Sequence, residues 1–279
     1  MTYSAEISRA NPTCFVFLVD QSGSMSDPFG VDPARRKAEG VADATNKLLQ
    51  NLVLKCAKEE GIRDYFNVGL IGYGGAAAAS GFAGALAGRE LVPISEIGGL
   101  PARIEERSRE REDGAGGLVR ENIKFPVWVD TMAQGGTPMC GALSLAKSML
   151  TSWVAQHRAS FPPVVINITD GESTDGDPSG PADALRSVGT DDGNALLLNI
   201  HVSSNPAPAI LFPESDALLP DKFAKLLFQM SSSLTPTMRA AANKEGIPTT
   251  DGTRGFAFNA GMPQVVKFLD IGTRPGNLR

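Results

Sequence analysis

The chain has 279 residues, 42% of them apolar, and a formal net charge of −5. This is enough apolar material for a full core, while the acidic balance and the lack of a long basic block argue against nucleic acid as the main partner. No apolar run approaches the roughly 20 residues of a membrane span, Met1–Glu6 has no leader pattern, and the odd set Cys14, Cys56 and Cys140 has no metal-type spacing, so the expected setting is a reducing cytoplasm with no membrane contact.

Taken in order, the elements alternate between strand and helix, the pattern of an α/β fold with a mostly parallel sheet. The first predicted strand runs from about Cys14 to Val19 and ends in Asp20-Gln21-Ser22-Gly23-Ser24-Met25. A helix is expected next, with Asp32 as N-cap and Pro33 in its first turn. Val41, Leu48, Leu49, Leu52, Val53 and Cys56 form its apolar stripe, Arg36, Lys47 and Lys55 lie off it, and Gly61 is expected to stop it. A strand over Phe66–Tyr73 follows.

The segment 76–129 departs from simple alternation and reads as an insertion on the side of the sheet that carries the polar loops. Within it, Arg89–Ile94 resembles a short exposed strand. Ile104–Arg111 and Leu118–Trp128 flank the turn-forming run Asp113–Gly117 and pair as a hairpin, unless the first arm is a charged helix after Pro101. A second helix begins after Thr137-Pro138, with Met139, Leu143, Ala146, Leu150 and Trp153 as its buried stripe. Val164–Thr169 is a continuous apolar run, as expected of a strand covered on both faces. Further strands are expected over Ala195–Ser203 and Gly255–Asn259. Helical stretches are expected over Asp221–Glu245, broken near Pro236, and over Met262–Leu269.

Three loops carry the chemistry. Asp20, Ser22 and Ser24 follow the first strand, Thr137 lies in Gly135-Gly136-Thr137-Pro138, and Asp170 follows the strand Val164–Thr169. Carboxylates and hydroxyls are hard oxygen donors suited to small hard cations. In open α/β sheets, loops at the carboxyl ends of strands are where ligands bind. Glu172, Asp175, Asp177, Asp191 and Asp192 read as a solvated acidic stretch, with a second cation site as the weaker alternative. Met25 and Met139 are candidates for the rim of a docking face, with core packing at least as good a reading for Met139.

D-x-S-x-S followed by Thr137 and Asp170, in that chain order and each at a predicted strand end, resembles the metal-ion-dependent adhesion site of von Willebrand factor type A (vWA) domains. The resemblance spans about Pro12 to Leu269. It implies a doubly wound, mostly parallel vWA/Rossmann-like sheet flanked by helices, as one domain over 1–279 with a hairpin-containing insertion. It further implies a Mg²⁺-type ion, with Mn²⁺ or Ca²⁺ as alternatives, held by Asp20, Ser22, Ser24, Thr137 and Asp170. The open coordination position would accept a Glu or Asp carboxylate from a protein partner. The long first helix and the Thr-Pro-Met loop look closer to the intracellular bacterial, tellurium-resistance-like branch. That branch implies a regulatory adaptor in a stress or phosphosignalling system, working with a kinase, a phosphatase or an AAA+ ATPase. In some members the last helix shifts on ligand engagement; here that helix would be Met262–Leu269.

Catalysis is the less favoured reading. The sequence has two histidines, His157 and His201, and neither is expected near the polar loops. Cys140 sits at a helix start, where a thiol pKa can fall, but no base is evident beside it. No nucleophile elbow, phosphate loop or dinucleotide fingerprint is present. The chain is therefore expected not to be an enzyme, with a metal-dependent hydrolase or phosphatase on the same five residues as the alternative.

Overall fold

The computed structural model describes residues 3–29, 32–112, 118–203 and 208–273. In chain order the elements are β1 (Thr13–Asp20), β2 (Pro28–Phe29), β3 (Asp32–Arg36), α1 (Lys37–Cys56), β4 (Ala57–Lys58), β5 (Gly61–Ile62), β6 (Phe66–Gly74), β7 (Ala77–Ser80), β8 (Leu91–Pro93), α2 (Ile94–Gly99), β9 (Arg103–Glu112) and β10 (Leu118–Val127). They continue with α3 (Met139–Gln156), β11 (Val164–Thr169), α4 (Ser179–Arg186), β12 (Leu196–Val202), β13 (Ile210–Leu211), α5 (Lys222–Met230), α6 (Pro236–Lys244), β14 (Phe256–Ala260) and α7 (Met262–Gly272).

Apolar residues on both faces of the strands set the architecture. In β1, Phe15, Phe17 and Val19 face a core shared with α1, α2, α6 and α7, while Cys14, Val16 and Leu18 face α3, α4 and α5. The result is a doubly wound α/β fold. The central sheet has strand order β13-β14-β12-β11-β1-β6-β7, and β8 also pairs with β6. The β6–β1–β11–β12–β14 ladder is parallel, and β7, β8 and β13 add antiparallel edges. The chain leaves β1 for β6 on one side and later returns to β11 on the other. The carboxyl ends of β1 and β11 therefore flank the point where the winding reverses, the usual ligand position in such sheets.

Between the strands runs a buried polar ladder on the α3/α5 face. Tyr73 Oη donates to Asn167 Oδ1 (2.6 Å), Asn167 Nδ2 to Asn199 Oδ1 (3.0 Å), and Asn199 Nδ2 to Ser231 Oγ (3.0 Å). All four residues are buried, so each bond satisfies a group that water cannot reach.

The first helix starts later than its sequence suggests. Residues 32–36 pair with Pro28 and Phe29 as a small hairpin, and α1 begins at Lys37, with the Arg36 N–H donating to Glu39 Oε2 (3.0 Å). The hairpin lays Phe29 on α1 at Gly40, where an added Cβ would lie only 2.1 Å from the ring. Tertiary packing here overrides the Asp-Pro start signal. At the other end α1 stops at Cys56, and Gly61, at φ +120°, turns the tight β4–β5 pair.

In the segment 76–129, β7 and β8 complete the edge of the central sheet, and Val92 of β8 is buried rather than exposed. The arms 103–112 and 118–127 pair antiparallel in register, so the first arm is a strand and not a charged helix. The predicted turn Asp113–Gly117 lies outside the described residues. Asn46 of α1 holds the root of this hairpin, accepting from the Trp128 and Val129 N–H groups and donating to Val129 O. Among the described residues no helix is long and apolar enough to cross a membrane.

Candidate metal centre

β1 ends in Asp20, whose side chain is buried at the sheet edge. Its Oδ1 accepts the Ser22 N–H (2.8 Å) and its Oδ2 accepts the Thr169 hydroxyl (2.6 Å). The chain then makes a 3-10 turn at Gly23–Ser26, which brings Ser22 Oγ to 3.1 Å from Ser24 Oγ. Ser24 Oγ donates to Asp170 Oδ1 (2.8 Å), from the loop that follows β11. Two carboxylates and two hydroxyls, 150 residues apart in sequence at the extremes, thus meet at one edge.

The loop bearing Thr137 is drawn in by backbone bonds. The Gln134 N–H donates to Gln21 O (2.7 Å), and the Gly23 N–H to Gly135 O (2.9 Å). Gly135 is at φ +65°, and an added Cβ would lie 2.5 Å from Gly75 Cα, so only glycine allows this approach. Thr137 itself is buried and is tied to the loop after β11: its N–H donates to Thr174 Oγ1 (2.8 Å), and the Thr174 N–H to Thr137 O (2.9 Å).

Two contributors, Thr169 and Lys37, were not singled out in the sequence, and a third, Asp175, was read there as part of a solvated acidic stretch. Thr169 supports Asp20. Asp175 caps α3 from a distant loop, its carboxylate accepting the Cys140 and Gly141 N–H groups at 3.0 and 2.9 Å. Lys37, the first residue of α1, reaches Asp170 Oδ2 at 2.5 Å and lies 3.6 Å from Asp27 Oδ2. The Lys37 and Asp170 side chains are 6% and 0% exposed. One feature of the sequence could have found Lys37, although a lysine there reads as solvated: it falls four residues before Val41, in line with the stripe that α1 buries.

The electrostatics favour a cation. Burial raises the pKa of Asp20 above the usual carboxylate value, against the lowering effect of its Thr169 and Ser22 hydrogen bonds. A buried carboxylate of this kind is stabilised by a nearby positive charge. The ammonium drawn onto Asp170 is a positive stand-in of that sort, and the remaining donors are hydroxyls. The donor set fits a small hard divalent ion. Among the described residues no group of three or more His, Cys, Asp or Glu side chains could hold a metal, so any ion at this edge depends on the hydroxyls.

Other expectations change. Met25 is buried in the core, and Met139 is buried as its core-packing reading has it, while still contributing to the wall of the cleft beside the site. His201 is closer to the site than expected: it pairs with Thr169 across the β11–β12 ladder, at the same sheet edge as Asp170. It stacks on Phe258 with centroids 4.8 Å apart, and its Nδ1 accepts the Asn259 N–H (3.4 Å). Burial lowers its pKa to about 4, so the ring is neutral. His157 caps the end of α3, stacked on Trp153. The Cys140 thiol pKa is raised, by burial first and by the Asp175 carboxylate next to it, so its helix-start position does not make it reactive. The acidic stretch also has structural partners: besides the Asp175 cap, Asp177 accepts the Ser179 N–H, Asp191 pairs with Arg158, and Asp192 accepts the Ser4 and Ala5 N–H groups.

A cleft of about 620 Å³ adjoins the candidate centre, walled by Gly171 and Glu172 on one side and by Lys222, Phe223 and Leu226 of α5 on the other.

No protein-family model matches the chain, and no curated protein does. Among solved structures, the chain is similar to the ArnB paralog VWA2 from Sulfolobus acidocaldarius (13% identity over 68% of this chain and 35% of that one, TM-score 0.34). It is also similar to the PilB minor pilin from Streptococcus sanguinis (11% identity, 95% and 61%, TM-score 0.48) and to the pilus adhesin RrgA from Streptococcus pneumoniae (17% identity, 61% and 22%, TM-score 0.33). The chain therefore spans between about a fifth and three fifths of the length of these proteins. At such scores the likenesses carry no functional information.

Proposed function

We propose that the chain is a metal-ion-dependent protein-interaction module of the von Willebrand factor A kind. In this reading Asp20, Ser22, Ser24, Thr137 and Asp170 hold one Mg²⁺-type ion, and a Glu or Asp carboxylate of a protein partner completes its coordination. The observation that carries it is the meeting of Asp20, Ser22, Ser24 and Asp170 at the winding-reversal edge of the sheet. The ion would supply a Lewis-acidic bridge between the two proteins. The chain's own residues do the rest: Thr169 fixes Asp20, the Thr137–Thr174 pair locks two loops together, and Asp175 keeps the start of α3 in place.

The module is read as non-catalytic. No histidine is free to act as base beside Asp20, since the His201 Nδ1 is occupied by the Asn259 N–H and the ring is stacked. The narrower role, a regulatory adaptor in a bacterial stress or phosphosignalling system with a kinase, phosphatase or AAA+ ATPase as partner, rests on the sequence resemblance alone.

The test is direct Mn²⁺ binding followed by electron paramagnetic resonance. One ion per chain, displaced by Mg²⁺ and lost in Asp20→Ala, is the expected result. Equal binding by Asp20→Ala, or no binding by the wild type, overturns the proposal.

A further inference from the structure

Lys37 is a charged side chain buried beside the candidate metal centre, in direct contact with Asp170. A residue there only to stabilise the fold would be unusual, because a buried ion pair is seldom better than an apolar pair of the same volume. Its position has a consequence for charge. The Asp27 carboxylate, 60% exposed, is screened by solvent and counts less. Among the buried groups, Asp20 and Asp170 with the Lys37 ammonium leave one net negative charge. A divalent ion turns this into one net positive charge, and a single incoming carboxylate then restores neutrality. Without Lys37, the ion alone would neutralise the two carboxylates, and a further carboxylate would leave one net negative charge. Charge separation at these distances is costly in a partly dry site.

We propose that Lys37 couples ion retention to partner binding: its ammonium weakens the ion alone and makes the carboxylate-completed complex the favoured state. The geometry also offers the ammonium somewhere to go. Asp27 Oδ2 lies 3.6 Å from Lys37 Nζ, on a side chain that is 60% exposed. When an ion takes Asp170, the ammonium can shift toward Asp27 without crossing the core. Lys37 is thus a determinant of affinity and specificity rather than a ligand. The inference rests on the metal-site reading above.

The experiment measures Mn²⁺ affinity by titration calorimetry, with acetate as a simple carboxylate probe and chloride at equal ionic strength as control. The wild type should bind Mn²⁺ several-fold more tightly in acetate than in chloride. Lys37→Met should bind Mn²⁺ about tenfold more tightly than wild type in chloride, since a repelling charge is gone, and should gain little from acetate. Lys37→Arg, which keeps the charge, should retain the wild-type response to acetate. Asp27→Asn removes the outer partner and should weaken Mn²⁺ binding, a check that holds even if Lys37→Met fails to fold. Equal Mn²⁺ affinities and equal acetate responses in wild type and Lys37→Met overturn the role of Lys37 while leaving the metal site intact. Absence of Mn²⁺ binding in both overturns the metal-site reading itself.

Discussion

The sheet edge at β1 and β11 and the hairpin β9–β10 are both rich in charge, yet the two regions use it differently. At the edge, the Lys37 and Asp170 side chains that pair are 6% and 0% exposed, and among the described residues the one other carboxylate paired with the ammonium, Asp27, lies farther off at 3.6 Å. On the hairpin, Arg103 bridges Glu105 and Asp130, and Arg107 bridges Glu105 and Asp43 while stacking 3.8 Å over Phe125. Arg103 and Asp130 are 49% and 50% exposed, so solvent competes for every one of their contacts. The same side-chain chemistry is structural commitment in one place and replaceable surface in the other. Burial, not the number of ion pairs, separates the two.

The largest expected effect is at the edge. Asp170→Ala strands the Lys37 ammonium in a buried position and should cost about 3 kcal/mol in urea unfolding without metal. A loss under about 1 kcal/mol would mean that Asp27 rescues the ammonium and that the edge behaves like the surface. His201 gives a comparable pH-dependent effect. Its folded pKa of about 4 lies below the unfolded value of 6.5, so the unfolded chain binds more protons between these values. Stability should therefore fall as pH drops from 6.5 to 4, by up to about 3 kcal/mol, and level off below. His201→Phe keeps the stack on Phe258 and should remove this component; identical pH profiles for variant and wild type would place the ring in water. The smallest effect belongs to the hairpin. Arg103→Ala should cost less than about 1 kcal/mol, and 0.5 M salt, about three times physiological strength, should shrink that cost further. A loss as large as that of Asp170→Ala would abolish the contrast.

Much of this was legible in the sequence. The apolar runs of β1 and β11 announce buried parallel strands, and the loops that follow them carry Asp20, Ser22, Ser24 and Asp170, which the structure brings together. The helix stripe of Leu48, Leu49 and Leu52 was equally plain. The start of α1 was not, because Asp32-Pro33 has the local form of a helix start, and the hairpin that overrides it depends on Phe29 packing against Gly40. Lys37 was hidden for the same reason: a lysine near a helix start reads as solvated until the hairpin is known to bury it. Asp175 looked like one more acid in a loop, since nothing in its own neighbourhood reveals that it caps a helix 35 residues earlier.

The buried asparagines have a consequence for how the chain finds its fold. Val164–Thr169 and Leu196–Val202 are almost interchangeable greasy strings, and such strings can lie alongside one another in several alignments. Asn167 and Asn199 face each other as direct neighbours and share a hydrogen bond. Shifting one strand by a single step would leave two amides dry and unanswered in the core. The pair works as an alignment pin: it contributes little to holding the strands together, but it makes every other alignment of them expensive, so the loops that follow arrive opposite each other.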